Sequence, residues 1–203
     1  MNVAVIRYNA GNIRSVVNAL HRIGIEPLVT DEPELLRKAG RVIFPGQGEA
    51  ATTMDYLRRS GLDKVIRQLT QPVLGICIGQ QLLCTHSDEG DTPCLNIYPD
   101  TQVRHFATLR PGFPEKVPHI GWNTVEKTAS PLFRDIPEGA FVYFIHSYCV
   151  PLSPCTIGRT CYGGVEFSSA MRYRNFYATQ FHPEKSGAVG EQLLRNFIHH
   201  CHD

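Results

Sequence analysis

The chain has a single tryptophan in 203 residues, no C-x-x-C pair and no excess of either charge. It also has no apolar run near the roughly 20 residues that a membrane-spanning helix needs. Lys and Arg total 20 against 19 Asp and Glu, without a basic run, so a nucleic-acid surface is not implied. Seven cysteines make an odd count in a chain too long for a small secreted scaffold. Reduced thiols in a reducing compartment are therefore expected, not a disulfide framework. The apolar stretch of "MNVAVIRYNAGN" is too short for a signal peptide, and a soluble cytoplasmic protein is the expectation. In the tail "HHCHD", His199, His200, Cys201 and His202 are consecutive. On a helix they point in different directions and cannot converge on one ion, so no metal is expected. Internal repeats, low-complexity segments and linkers are also missing, which predicts one domain over residues 1–203 with a sizeable core.

What is present in the first half is alternation. "NVAVIRY", "EPLVT", "RVIFPG" and "PVLGIC" are short apolar runs of the kind that form buried parallel strands. Between them, Ile13, Val16, Val17, Leu20 and Ile23 fall at helical spacing, with Gly24 as a stop. Asp31 and Glu34 resemble a capping box, with Pro33 tolerated in the first turn. A further helix is predicted over about 52–69 with a break near Gly61, and "GQQLLCTH" reads as the helix behind the fourth strand. After about Glu89, "NIYPDTQVRHF", "VPHIGWNTV", "AFVYFIHSYCV", "CTIGRTCYGG" and "EFSSAMRYRNFYATQF" are strand-like, and a last helix starts near Gly187. The expected fold is a single α/β domain. Its central, mostly parallel sheet is flanked by helices and followed by a strand-rich second half.

One stretch asks for chemistry. In "VLGICIGQQLL", Cys77 ends a predicted strand, a predicted helix starts behind it, and Gly75 and Gly79 flank it. A buried cysteine at the end of an apolar run is commonly packing. The same pattern is that of a nucleophile elbow, in which flanking glycines permit a tight, strained turn. Ligands of open α/β folds bind beyond the carboxyl ends of the strands. A helix N-terminus there favours a thiolate, and the Ile78 amide becomes a candidate oxyanion donor. A base and its orienting acid come from "ATQFHPEKSG". His182 and Glu184 stand two apart, so on backbone kept extended by Pro183 both side chains face the same way. A carboxylate so placed fixes the imidazole tautomer, which is the third-member role of a triad. Cysteine-based acyl transfer is the leading expectation.

"GICIGQQLL", "FHPEKSG" and the N-terminal layout resemble the class I, triad-type glutamine amidotransferases, which have a flavodoxin-like fold. More narrowly, "YNAGNIRSV", "FPGQGEA", "PHIGWN" and "YFIHSY" resemble the glutaminase subunits of imidazole glycerol phosphate synthases, and the similarity spans essentially the whole chain. That resemblance implies attack of Cys77 on the glutamine amide, proton transfer by His182 and orientation of His182 by Glu184. It also implies a second oxyanion donor, the Gln47 amide. Gly48, Gln81, Glu89, Tyr143, Ser147 and Tyr148 would bind substrate, with Glu89 on the α-ammonium; strand packing is the other reading of Tyr143, Ser147 and Tyr148. Gln47 replaces a usual valine, and Gln80 stands where the family often has methionine, each putting an amide near the pocket.

The resemblance further implies a partner, a cyclase subunit with a (β/α)8 barrel. It would use the ammonia to form imidazole glycerol phosphate and an aminoimidazole carboxamide ribotide, in histidine biosynthesis. Ammonia free in neutral water is mostly ammonium and not nucleophilic, so a protected passage is useful. Asn12, His119, Trp122 and Asn123 match positions at or near that interface, although Trp122 could equally be core. No cofactor is implied, and no phosphate-cradling motif is found. Other readings are a paralogous glutaminase feeding surface-sugar amination, a non-catalytic relative on the same scaffold, and a cysteine protease.

Overall fold

The structure, a computed structural model, describes residues 2–8, 13–46, 48–127 and 129–202. In the first half, strands β1 (Val3–Ile6), β2 (Leu28–Thr30), β3 (Arg41–Phe44) and β4 (Val73–Ile76) alternate with helices. These helices are α1 (Ile13–Arg22), α2 (Pro33–Lys38), α3 (Ala50–Ser60), α4 (Leu62–Arg67) and α5 (Ile78–Leu83). Three short strands follow, β5 (His86–Ser87), β6 (Thr92–Pro93) and β7 (Gln102–His105), then helix α6 (Phe106–Leu109). The second half holds β8 (His119–Lys127), β9 (Ala140–His146), β10 (Tyr148–Cys149), β11 (Thr156–Tyr162), β12 (Val165–Tyr173) and β13 (Phe176–Thr179). Helix α7 (Gly187–His199) closes the chain.

Among the described residues, nine strands form one sheet in the order β2-β1-β3-β4-β13-β12-β11-β8-β9. The five from β2 to β13 run parallel, and each step from β13 to β9 is antiparallel. The sheet is therefore mixed, with the parallel part built from the alternating half and the antiparallel part from the strand-rich half. A small second sheet, β10-β7-β5-β6, lies beside it.

Strand periodicity explains the layers. Val3, Val5 and Ile43 enter one core with α1 and α7, whereas Ala4, Ile6, Val42 and Phe44 enter the other with α2 to α5. Successive side chains of a strand face opposite sides, so a sheet covered on both faces needs continuous apolar runs. Gly24 and Gly61 take φ of +82° and +74° at the predicted helix ends.

Three local expectations change. Glu32, not Asp31, caps α2, without a side-chain cap bond. Asp31 instead meets Arg7 at 2.6 Å, and Glu34 meets Arg37 at 2.9 Å, so the capping box does not form. "EFSSAMRYRNFYATQF" is two strands, not one, reversing at Arg174, whose φ is +53°. The turn inserts β13 beside β4, at the centre of the sheet. Pro183 does not extend the backbone; it opens a 3-10 turn, Pro183–Lys185, with His182 as its cap.

That turn is wedged against α7. A Cβ on Gly190 would stand 1.9 Å from the Pro183 carbonyl oxygen. Gly190→Ala should accordingly lower stability by about 1–3 kcal/mol, the usual range for overpacking, read as a reduced urea midpoint at unchanged m.

Candidate active site

Parallel register assembles the site. Ile76 of β4 pairs with Thr179 of β13, so the residues that follow, Cys77 and Gln180, leave the sheet side by side. The Cys77 amide donates to the Thr179 carbonyl at 2.7 Å. Cys77 itself sits at φ +52°, ψ −105°, a conformation that side chains with a Cβ seldom adopt and that costs roughly 1–3 kcal/mol. The strain thus lies on the cysteine, not on its glycines. Gly75 and Gly79 serve close approach instead: a Cβ on Gly79 would meet the Phe44 carbonyl oxygen at 2.4 Å, and one on Gly75 the Gly79 carbonyl at 2.9 Å. Pressing α5 onto β3 this way leaves the Ile78 amide at the first position of the helix, without an acceptor inside it.

Besides the His182 ring, two polar groups approach the sulfur. It lies 3.8 Å from the Ile145 carbonyl and 3.7 Å from the Gln180 Nε2, which donates to it. Nδ1 of His182 stands 2.7 Å from Oε1 of Glu184, with both side chains 1% exposed. The His182 amide donates to the Tyr143 carbonyl, and Ser186 Oγ, donating to the His182 carbonyl, braces the turn. Burial acts to lower the His182 pKa. The Cys77 thiolate and then the Glu184 carboxylate outweigh it and push the imidazole up to about 10. Burial pushes the thiols of Cys84, Cys94 and Cys201 up to about 12.

Around these groups lies a cavity of about 410 Å³. Of the residues expected there, Cys77, Ile78, Gly48, Gln81, Glu89, Ser147, Tyr148 and His182 line it; Pro118, Ile145 and His146 also do. Glu184 stands behind His182 as its partner. The Glu89 carboxylate accepts from the Ala50 amide at 2.8 Å and has its pKa raised by burial. With Glu49 and Asp88 it also raises the pKa of the Tyr148 phenol, after burial, so the mouth of the cavity is acidic.

Tyr143 does not line the cavity. It faces the outer side of the β8–β9 hairpin, edge-on to Trp122 at 5.9 Å and beneath the Lys185 ammonium. Gln80 is fully buried behind the elbow, donating to the Ser168 carbonyl at 2.9 Å, and does not reach the cavity. His119 is buried, stacked on Tyr162 and Phe144, not displayed at a surface. Trp122 is 56% exposed, which settles it as a surface residue. Gln47 and Asn12 lie outside the described residues. Gln180 and His146 were missed. A glutamine two residues before a candidate base carries no periodic signal, and only the pairing of β13 with β4 brings it to the sulfur.

A family model described as glutamine amidotransferase class-I matches residues 5–201. The imidazole glycerol phosphate synthase subunit HisH of Bacteroides thetaiotaomicron is 54% identical over 198 residues, covering 98% of this chain and 99% of that one. Its namesake in Idiomarina loihiensis is 45% identical over 199 residues, covering 98% and 97%. Among solved structures, a glutamine amidotransferase superposes with a TM-score of 0.73 at 21% identity, covering 97% of each chain. PurLQS from Thermotoga maritima superposes with a TM-score of 0.70 at 15% identity, again covering 97% of each. These two likenesses concern the fold alone.

The raised His182 pKa has a signed consequence. Because the folded value of about 10 exceeds the ordinary 6.5, its contribution to stability is fully present below pH 6.5 and is lost as pH rises through 10. Cys77→Ala removes the largest of the groups that raise it. In urea unfolding, the variant should show a smaller loss of stability than the parent between those two pH values. In nitrogen-detected NMR its His182 should titrate well below 10.

Proposed function

The chain belongs to the class-I glutamine amidotransferase family, and we propose that Cys77, His182 and Glu184 are its catalytic triad for hydrolysing glutamine to glutamate and ammonia. One observation carries this reading: a cysteine on a strained elbow shares a cavity with a buried, 2.7 Å His–Glu pair. The Cys77 thiolate attacks the side-chain amide carbon, and the Ile78 amide, with that of Gln47, donates to the developing oxyanion. His182, held as imidazolium beside Glu184, gives its proton to the departing ammonia. It then takes one from the water that cleaves the thioester, releasing glutamate and the thiol. Gly48, Gln81, Ser147 and Tyr148 form the walls around substrate, and the acidic mouth at Glu89 suits its α-ammonium.

The relatives' names support a subunit of imidazole glycerol phosphate synthase that works beside a cyclase and passes ammonia to it, in histidine biosynthesis. Surface chemistry agrees. Ile120, Trp122 and Phe141 are 57%, 56% and 60% exposed on the outer face of the β8–β9 hairpin, which continues into Ile145 and Pro118 at the cavity. Clustered large apolar side chains at a surface mark an interface. A partner seated there would cover the route by which ammonia leaves. Of the expected interface residues, Trp122 fits this face, whereas His119 and Asn123 lie on the opposite face of β8.

Cys77→Ala should abolish glutamine hydrolysis, while Cys84→Ala, Cys149→Ala and Cys161→Ala retain it; a covalent glutamine analogue followed by peptide mapping should mark Cys77 first. His182→Ala should be as damaging as loss of the cysteine, whereas Glu184→Gln should leave measurable turnover, since the orienting acid is commonly the least costly member to lose. Turnover of the chain alone should be slow and should rise by about 10²–10³ with a matched cyclase subunit and its ribotide, the worth of one oxyanion donor. Trp122→Ala should weaken that rise. Full speed from the lone chain would instead indicate a free-standing glutaminase.

A further inference from the structure

Two runs of polar side chains meet at the Tyr148 carbonyl, one coming from β8 and the other ending on the Cys77 sulfur, and each donor in them is forced by its neighbours. The first starts at Asn123, whose Oδ1 accepts from the Thr124 amide at 2.8 Å and whose Nδ2 donates to the Cys161 carbonyl at 3.0 Å. With the amide so turned, Nδ2 is the atom 3.5 Å from His119 Nε2, which must be bare to accept. The β8–β9 register sets His119 directly opposite His146, and His119 Nδ1 lies 3.1 Å from His146 Nε2. At the far side, His146 Nδ1 is 2.8 Å from the Tyr148 carbonyl, which can only accept, so Nδ1 carries the proton. A neutral His146 then has a bare Nε2, and His119 supplies the proton between the rings. Both ends demand the same direction. Burial enforces the neutral state, lowering His119 to about 4 and, with His119 beside it, His146 to about 3.

The direction of donation reverses at the Tyr148 carbonyl, which accepts from His146 on one side and from Gln81 on the other. Gln81 Nε2 donates to that carbonyl at 2.9 Å and to Gln180 Oε1 at 3.1 Å. With its oxygen thus engaged, Gln180 has only its Nε2 to turn toward the sulfur, 3.7 Å away. The reverse orientation would set two amide donors against each other and an oxygen against a thiolate.

Resting on the reading of Cys77 as nucleophile, we propose that Gln180 is a further catalytic residue, the side-chain donor that holds negative charge on the sulfur. Gln81, which the acceptor-only Tyr148 carbonyl holds with its Nε2 turned inward, is the positioning residue that keeps the Gln180 amide turned that way. A donor to a charged atom is worth about a ten- to hundredfold effect, and an ordinary bond further along the chain about two- to tenfold.

The test is the rate at which iodoacetamide carboxamidomethylates Cys77 in the intact chain at one neutral pH, read by peptide mass spectrometry. Gln180→Glu, equal in shape but presenting oxygen to the sulfur, should slow it by about ten- to hundredfold. Gln81→Glu, which would set oxygens against the Tyr148 carbonyl and Gln180 Oε1, should slow it by about two- to tenfold, and Gln81→Leu, which removes the donor alone, should slow it no more than that. An unchanged rate for Gln81→Glu would overturn the positioning role, and an unchanged rate for Gln180→Glu would overturn the catalytic one. Should Gln180→Glu fail to fold by circular dichroism, Gln180→Leu, which removes the donor alone, makes the same comparison. Alkylation needs no glutamine. The expected pattern in a chain that does not hydrolyse glutamine would therefore refute the proposed function and leave the Gln180 donor standing.

Discussion

The site depends on one constraint, the parallel pairing of β4 with β13. That register ends on Ile76 opposite Thr179, and the Thr179 carbonyl captures the Cys77 amide. Held from one side by this bond and from the other by α5 pressed onto β3, Cys77 cannot relax out of its positive φ. Strain of this kind persists only where the surroundings over-determine the backbone. Here the surroundings are two backbone contacts that no side chain at positions 75 or 79 would permit. The same pairing delivers Gln180, and two residues later His182, to the same end of the sheet.

Charge in so buried a place needs compensation, because desolvation opposes an imidazolium. It is overcome here by two negative partners on opposite sides of one ring, the Cys77 thiolate and the Glu184 carboxylate. Arginines act on the thiols of Cys94 and Cys201, but burial outweighs them and keeps these thiols, like those of Cys84 and Cys149, neutral. Accessibility does not single out Cys77 either, since Cys161 is the exposed one.

The β8–β9 hairpin has two faces with different work. Its inner face carries His119, Phe144 and His146 into the aromatic core against Phe106 and Phe167. Its outer face leaves Ile120, Trp122 and Phe141 in solvent. Period-two alternation along both strands divides the faces, and antiparallel register brings the rows into contact. The hairpin therefore forms a wall between an exposed apolar surface and the sulfur, one strand thick.

Much of this was legible in the residues. Alternating apolar runs and helical spacing identified an α/β domain, Gly24 and Gly61 marked helix ends, and the elbow and the His-x-Glu pair identified three chemical groups. Those are local signals, set by backbone propensities and by spacings of a few residues. Wherever the answer depended on which strand lies beside which, the sequence was silent. Nothing in "EFSSAMRYRNFYATQF" says that it reverses at Arg174 to place β13 beside β4, or that Gln180 then faces the sulfur. Nor does "YFIHSY" reveal that Tyr143 points away from the cavity while His146 lines it and meets His119 from 27 residues earlier. Residue types determined the chemistry available to this protein. Register between distant strands, a property of tertiary packing, decided which of those groups meet.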